Sequence, residues 1–129
     1  MKSLNPQSIH PPFANYSHGV ETQAGRIVVT SGQLGIHADG TIPPGAEAQT
    51  DLCLKNIEAI LSEAHLSRDA IVRLNAYVVD RQHMAGYMRA RDRFTDSLEC
   101  KPASTLMIVS GFTRPEFLVE VEAIAIERN

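Results

Sequence analysis

The last apolar segment of the chain, Phe117 to Ile126, constrains the fold more than any other feature. Successive side chains of a β-strand point to opposite faces, so one face of this segment is purely apolar. The other face mixes apolar side chains with two carboxylates, Glu120 and Glu122. We expect the apolar face to pack on helices and the mixed face to form a semi-buried contact with another subunit. The simpler alternative is an edge strand with two solubilising glutamates.

Hydrophobic periodicity predicts the remaining elements. Apolar residues at i, i+3 and i+4 predict an amphipathic helix from Ala46 to about Glu63 and a second, thinner one from about Met84 to Ser97. The predicted strands are Val20–Gln23, Arg26–Ser31, Ile71–Val79, Ser104–Ser110 and Phe117–Ile126. The order β-β-α-β-α-β-β predicts a single α+β domain over residues 1–129, a two-layer sandwich with both helices on one face of a mixed sheet.

The predicted strand Ser104–Ser110 also bears on assembly. Neither of its faces is freely polar. A sheet that is apolar on both sides needs two covering layers, and two helices supply only one of them. We therefore expect the chain to form oligomers.

Charge and composition argue against several classes of partner. A net charge of −3 is unfavourable for nucleic-acid binding, which relies on basic surfaces. The basic cluster Arg89, Arg91 and Arg93 is expected on the exposed side of the second helix. No apolar run approaches the roughly 20 residues that cross a bilayer, and Met1 to Gln7 contains no apolar leader segment.

The two cysteines and five histidines show no metal-ligand spacing. Cys53 and Cys100 are read as reduced thiols of a cytoplasmic protein. The spacing therefore predicts no metal site, and the lack of a long apolar run predicts no membrane association.

Six short motifs follow one another in an order that is typical of one family. They are Tyr16–Val20, Val29–Gln33, Asn56–Ile60, Asn75–Asp80, Pro102-Ala103 and Val119–Ala125. From about Tyr16 to Glu127 the chain resembles the RidA/YjgF family of reactive intermediate deaminases. The resemblance implies a chorismate-mutase-like fold and a homotrimer in which three sheets form an inner barrel, with clefts between subunits. It also implies hydrolysis of a reactive imine or enamine of a 2-keto acid to the keto acid and ammonia, without metal or cofactor.

The resemblance also assigns site residues. Glu120 matches the glutamate that helps to orient the attacking water. Ser104 stands directly after Pro102-Ala103, where the family's deaminases have an arginine that grips the substrate carboxylate, and Met88 stands in place of a common asparagine. The substrate-binding candidates are Tyr16, Ser31, Gly32, Met88, Ser104, Thr105 and Arg114.

The serine at position 104 leaves the function open, because a hydroxyl lacks the charge and the two-pronged geometry of a guanidinium. One hypothesis is deamination of an imine or enamine that is larger or differently charged than 2-aminoacrylate. A second is a trimeric protein that binds a small metabolite without turnover. A third, a ribonuclease or translation inhibitor, is disfavoured by the acidic composition. Arg114, Arg26 or Arg73 could replace the anchor, although a surface arginine is the simpler interpretation of each.

Overall fold

Seven strands and two helices are found in residues 1–128, which the computed structural model describes. The strands are β1 (Lys2–Leu4), β2 (Gly19–Glu21), β3 (Ile27–Val29), β4 (Gln33–Leu34), β5 (Ile71–Val78), β6 (Ala103–Ile108) and β7 (Val119–Ile126). The helices are α1 (Ala46–Glu63) and α2 (Met84–Thr95). Single 3-10 turns, Arg68–Ala70 and Arg81–His83, precede β5 and α2.

The main sheet has the order β3-β7-β5-β6, and β4 also pairs with β7. Strands β5 and β6 are parallel, whereas β7 runs antiparallel to β3, β4 and β5. The sheet is therefore mixed, and β6 forms one edge. Strands β1 and β2 form a separate antiparallel ribbon. Just before β2, Ser17 bridges to Ala103 at the start of β6.

Both helices pack on one face of this sheet, as the sequence predicts. The alternation of β7 has the expected orientation, because Val119, Val121, Ala123 and Ala125 are buried and the residues between them are only partly covered. The helices contribute the other half of the core. Its helical members are Cys53, Leu54, Ile57, Leu61, Tyr87 and Phe94. The result is an α+β arrangement of two layers.

The opposite face of the sheet, which we call the open face, carries no helix in a single chain. Ile27 and Val29 of β3 lie there opposite Ile126 and Ile124 of β7. Val29 keeps 66% of its accessible surface, and Met107 of β6 is also exposed. An apolar strip of this kind is unusual on the surface of an isolated chain.

The structure refines several of the predicted elements, and the bounds of β2, β3, β5, β6 and β7 each differ from the predicted ones by one or more residues. Strands β1 and β4 were not predicted, because three and two residues are too few to show an alternating pattern. Helix α2 ends at Thr95, two residues before the predicted end. In α1, Leu54 is buried in the core, whereas Leu52 is only partly buried. In residues 1–128, no helix combines the length and the apolar character needed to cross a bilayer.

Candidate functional site

Glu120 lies near the start of β7 with its side chain on the open face. Its register partners are Tyr77 on β5 and Leu34 on β4. Partial burial raises the pKa of the Glu120 carboxyl above its usual range, and the neighbouring charge of Glu122 adds to this effect. A carboxylate with a raised pKa is a better proton acceptor and exchanges protons nearer to neutral pH.

Gly32 leaves the space in which the Glu120 carboxylate lies. A Cβ atom at position 32 would collide with this carboxylate, and it would stand 2.9 Å from Glu120 Cγ. Real Cβ contacts are not this short, so a side chain at position 32 would displace the carboxylate. Ser31, the preceding residue, is exposed. Of the sequence-predicted residues, Ser31 and Gly32 therefore lie in the segment beside Glu120.

A row of polar side chains continues from Glu120 across the open face. The Tyr77 hydroxyl donates a hydrogen bond to Glu122, and this bond raises the pKa of Tyr77. Arg73 donates to Asn75 Oδ1 at 2.8 Å and to Thr105 Oγ1 at 2.7 Å. Thr105 thus shares the face of Glu120, but its hydroxyl is already bound by Arg73.

Cys53 lies on α1, on the helix-covered face of the sheet, and its Sγ donates to the Gln33 carbonyl at 3.1 Å. Burial raises the pKa of the Cys53 thiol to about 12, and the charge of Glu120 contributes to the shift. The thiol is therefore protonated at physiological pH. A protonated, buried thiol is a poor nucleophile.

Ser104 points to the opposite face of the sheet. It pairs in register with Leu74, which pairs with Ala123, and both of these residues belong to the core beneath the helices. Across the sheet, Glu120 is in register with Met107 on β6, two strands away. Ser104 lies three residues before Met107 on that strand. Ordinary strand spacing puts their Cα atoms about 14 Å apart. A single chain therefore does not bring Ser104 and Glu120 together.

The partner of Ser104 is Arg91 of α2, whose Nη1 donates to the serine Oγ at 3.3 Å. The expectation that the whole basic cluster of α2 is exposed is wrong for Arg91. The side chains of Arg89 and Arg93 are 63% and 55% exposed and pair with Glu47 and Asp51 on α1, whereas that of Arg91 is 4% exposed. Residues two apart on a helix differ by about 200° in direction, which explains why Arg91 faces inward. Met88, one turn before Arg91, is partly buried against the core.

Tyr16 and Arg114 lie in loops. The Tyr16 hydroxyl accepts a hydrogen bond from the Phe13 amide, and the ring contacts His18 edge-on. Its neighbour Ser17 donates its amide proton to the Pro102 carbonyl, which places Tyr16 near the start of β6. Arg114 lies in the connection between β6 and β7, with its guanidinium 5.9 Å from the centre of the Phe117 ring.

The other two arginines considered as anchors are engaged elsewhere. Arg26 forms a two-pronged ion pair with Glu127 at 2.8 and 2.9 Å. Arg73 is held by Asn75 and Thr105 on the open face. Arg91, which the sequence reading placed in solvent, is the arginine that contacts position 104.

Comparison with known proteins identifies the family. The family model described as Endoribonuclease L-PSP matches residues 7–127. The crystal structure of a Rid-family protein of unknown function, YyfB from Yersinia pestis, superposes with a TM-score of 0.86 at 30% identity, covering 98% of each chain. The chain belongs to the RidA/YjgF family. The family prediction is therefore confirmed.

Other RidA/YjgF members match over nearly the whole chain. A RutC family protein of Aquifex aeolicus is 27% identical over 128 residues, covering 98% of this chain and all (100%) of the relative. The Escherichia coli protein named "Putative reactive intermediate deaminase TdcF" is 28% identical over 126 residues, covering 97% of this chain and 96% of its own. The structure of E. coli TdcF with bound serine superposes with a TM-score of 0.73 at 26% identity, covering 98% of this chain and 99% of TdcF.

Proposed function

We propose that this protein hydrolyses a reactive imine or enamine of a 2-keto acid to the keto acid and ammonia. The observation that carries the proposal is the Glu120 carboxylate, which is partly buried beside Gly32 and has a raised pKa. Membership of a family that includes TdcF, whose name describes a reactive intermediate deaminase, supports the same chemistry.

The reaction needs one general base that can return its proton. The Glu120 carboxylate accepts a proton from a water molecule while the water oxygen attacks the carbon of the C=N bond. The π electrons of that bond move to nitrogen, and the product is a tetrahedral carbinolamine. Glu120 returns its proton to the nitrogen, which completes the amino group of the carbinolamine. Glu120 then accepts the proton of the carbinolamine hydroxyl and transfers it to the amino nitrogen, so the C–N bond breaks, ammonia leaves and the C=O bond forms. A pKa raised above that of a free glutamate suits a group that acts first as base and then as acid.

The proposed site lies between subunits of a homotrimer with a chorismate-mutase-like arrangement. Two features support a shared site. Ser104 and Glu120 lie on opposite faces of one sheet, so a site that contains both residues takes them from different copies. The apolar residues of the open face, including Ile27 and Val29, offer a surface for further copies. Burial of the open face in a trimer would also further desolvate Glu120.

A coupled assay tests the activity. A lyase or amino-acid oxidase generates 2-aminoacrylate and bulkier imino acids in place, and the decay of the imine is followed with and without the protein. We expect the wild type to accelerate decay of at least one substrate and Glu120→Gln to abolish the acceleration. Glu116→Gln is the matched control, because Glu116 is an exposed carboxylate in the loop before β7. A wild type inert on every imine, or equal activity of Glu120→Gln, would reject the proposal.

A trimeric small-metabolite-binding protein without turnover is the second candidate. The serine at position 104, which supplies no charge, is the observation that favours it. This candidate predicts saturable binding of a keto acid that does not depend on Glu120. Binding without any imine hydrolysis would support it over the deaminase.

A further inference from the structure

Arg91 places a positive charge beneath the surface between α2 and the edge strand β6. Its side chain is 4% exposed, whereas those of Arg89 and Arg93 on the same helix are 63% and 55% exposed. Removing a guanidinium from water is costly unless its donors find acceptors. The acceptors that surround Arg91 therefore show whether its donors are satisfied within the chain or remain free for a ligand.

The hydrogen bonds of Arg91 leave part of its donor set unused. Nε and Nη2 both donate to a single oxygen, Asp92 Oδ1, at 3.1 and 3.0 Å. Nη1 donates to Ser104 Oγ at 3.3 Å. A guanidinium has five N–H groups, so one on each terminal nitrogen has no acceptor in residues 1–128. Asp92 balances the charge, and its side chain is 43% exposed.

A second polar group in the same place has no partner. The Tyr87 hydroxyl is fully buried and makes no hydrogen bond with any residue of the described chain. Arg91 lies over its ring, 5.6 Å from the ring centre. Burial raises the pKa of Tyr87, and the proximity of Arg91 and Ser104 opposes that effect. The Tyr87 hydroxyl thus points toward the same two residues without bonding to either in good geometry.

We infer that Arg91, Tyr87 and Ser104 form the site that binds the carboxylate of the substrate. Two terminal N–H groups of one guanidinium match the two oxygens of a carboxylate, and the hydroxyl protons of Ser104 and Tyr87 supply further donors. This inference rests on the proposed function and names its specificity-determining residue. The guanidinium comes from helix α2, and Ser104, which contacts it, has a short side chain.

The local charges restrict the class of ligand. Arg91 is ion-paired with Asp92, so the site has at most one unit of positive charge to offer, and a monoanion suits it better than a dianion such as phosphate. A 2-imino or 2-keto monocarboxylate has this charge. Ser104 is itself only partly buried and lies on the edge strand, so it offers the route by which a ligand reaches Arg91.

Pyruvate, which has the carboxylate but cannot be deaminated, is the probe for the first test. Its binding is titrated by calorimetry or NMR, and pyruvamide serves as the uncharged probe of the same shape. We expect the wild type to bind pyruvate and to bind pyruvamide at least about 10-fold more weakly, as for loss of a hydrogen bond to a charged group. Equal affinities for the two probes, or no binding of pyruvate, would overturn the inference.

Variants then test whether Arg91 is the residue that binds the carboxylate of pyruvate. Arg91→Met keeps the apolar stem of the side chain and should weaken pyruvate binding by about 10- to 100-fold. Arg89→Met, on the exposed side of the same helix, should have no effect. The double variant Arg91→Met with Ser104→Arg should recover binding, because it returns a guanidinium to the same space. Unchanged binding by a folded Arg91→Met protein would refute the assignment.

Tyr87→Phe separates binding from structure, in case Arg91→Met does not fold. Its hydroxyl supports no other residue of the described chain, so the thermal midpoint should be unchanged or higher. Pyruvate binding should nevertheless weaken several-fold, which a purely structural role for the cluster would not produce. Full affinity in Tyr87→Phe would remove Tyr87 from the site.

The outcomes distinguish this inference from the proposed function. Imine hydrolysis that requires Glu120 but is indifferent to Arg91 would leave the deaminase standing and reject the carboxylate site. If pyruvate binding depends on Arg91 but the protein hydrolyses no imine, the carboxylate site would stand and the deaminase proposal would be rejected.

Discussion

Ser104 and Glu120 face opposite sides of one sheet, because Ser104 is in register with the core residues Leu74 and Ala123, whereas Glu120 lies on the open face. Each chain therefore holds two half-sites that do not face each other. The proposed active site requires that one copy supply Glu120 and a neighbour supply Ser104 with Arg91. Under this proposal, the activity depends on the assembly of several copies.

Subunit mixing tests this arrangement. Glu120→Gln and Arg91→Met homotrimers should each be inactive or nearly so. After unfolding and refolding of the two variants together, some interfaces combine an intact Glu120 with an intact Arg91, and imine hydrolysis should return. Activity of the mixture that does not exceed the sum of the separate variants would show that both residues act within one chain.

Gly32→Ala should remove activity by displacing the Glu120 carboxylate. Because a small misplacement of a catalytic group can cost about 100-fold in rate, we expect a loss of this order in kcat. Overpacking should also lower the free energy of unfolding by about 1–3 kcal/mol, measured by urea denaturation. Gly111→Ala is the matched control, since a Cβ there has no described atom within 4 Å. Normal kcat in Gly32→Ala would argue against a role for the carboxylate in its present position.

The pH dependence of kcat/KM should reflect the raised pKa of Glu120. The base acts as the carboxylate, so activity is lost as pH falls through that pKa, and the acidic limb should lie above the position of an ordinary glutamate. Glu122→Gln removes a charge that raises the Glu120 pKa, and the amide oxygen can still accept from Tyr77. The acidic limb should therefore move to lower pH. An unmoved limb would mean that another group titrates there.

Val29→Lys should prevent assembly if the open face is buried between copies. The side chain of Val29 is exposed in a single chain, so the lysine is compatible with the folded monomer. Light scattering after gel filtration should report trimers for the wild type and monomers for the variant. Ala59→Lys, on the exposed side of α1, should remain trimeric. A trimeric Val29→Lys protein would exclude this face from the interface.

The sequence predicted the layers well because strong alternation and helical periodicity are local signals. The alternation of β7 gave the correct buried face, and α1 has the predicted bounds. The site was harder to predict, because it depends on contacts between distant segments. The link between Arg91 and Ser104 joins a helix to a strand, and nothing in either segment alone specifies it.

Part of that link was nevertheless present in the sequence. The regular spacing of Arg89, Arg91 and Arg93 suggests a common surface, but a turn of 3.6 residues places the middle arginine on the side opposite to the other two. Tyr87, four residues before Arg91, is an apolar ring on the inward side of the same helix and is fully buried. Because Tyr87 and Arg91 are four residues apart on one helix, they share a face, and this spacing predicts a buried arginine beside Tyr87.

The alternation of β7 places its two sets of residues under different evolutionary constraints. Val119, Val121, Ala123 and Ala125 maintain the core, while the side chains between them face the open side. Substitutions at the intervening positions can change chemistry without disturbing the core. Insertion of a single residue within β7 would exchange the two sets, burying both glutamates and exposing the core residues at once. The strand should thus tolerate many point mutations over evolution but very few changes in its length.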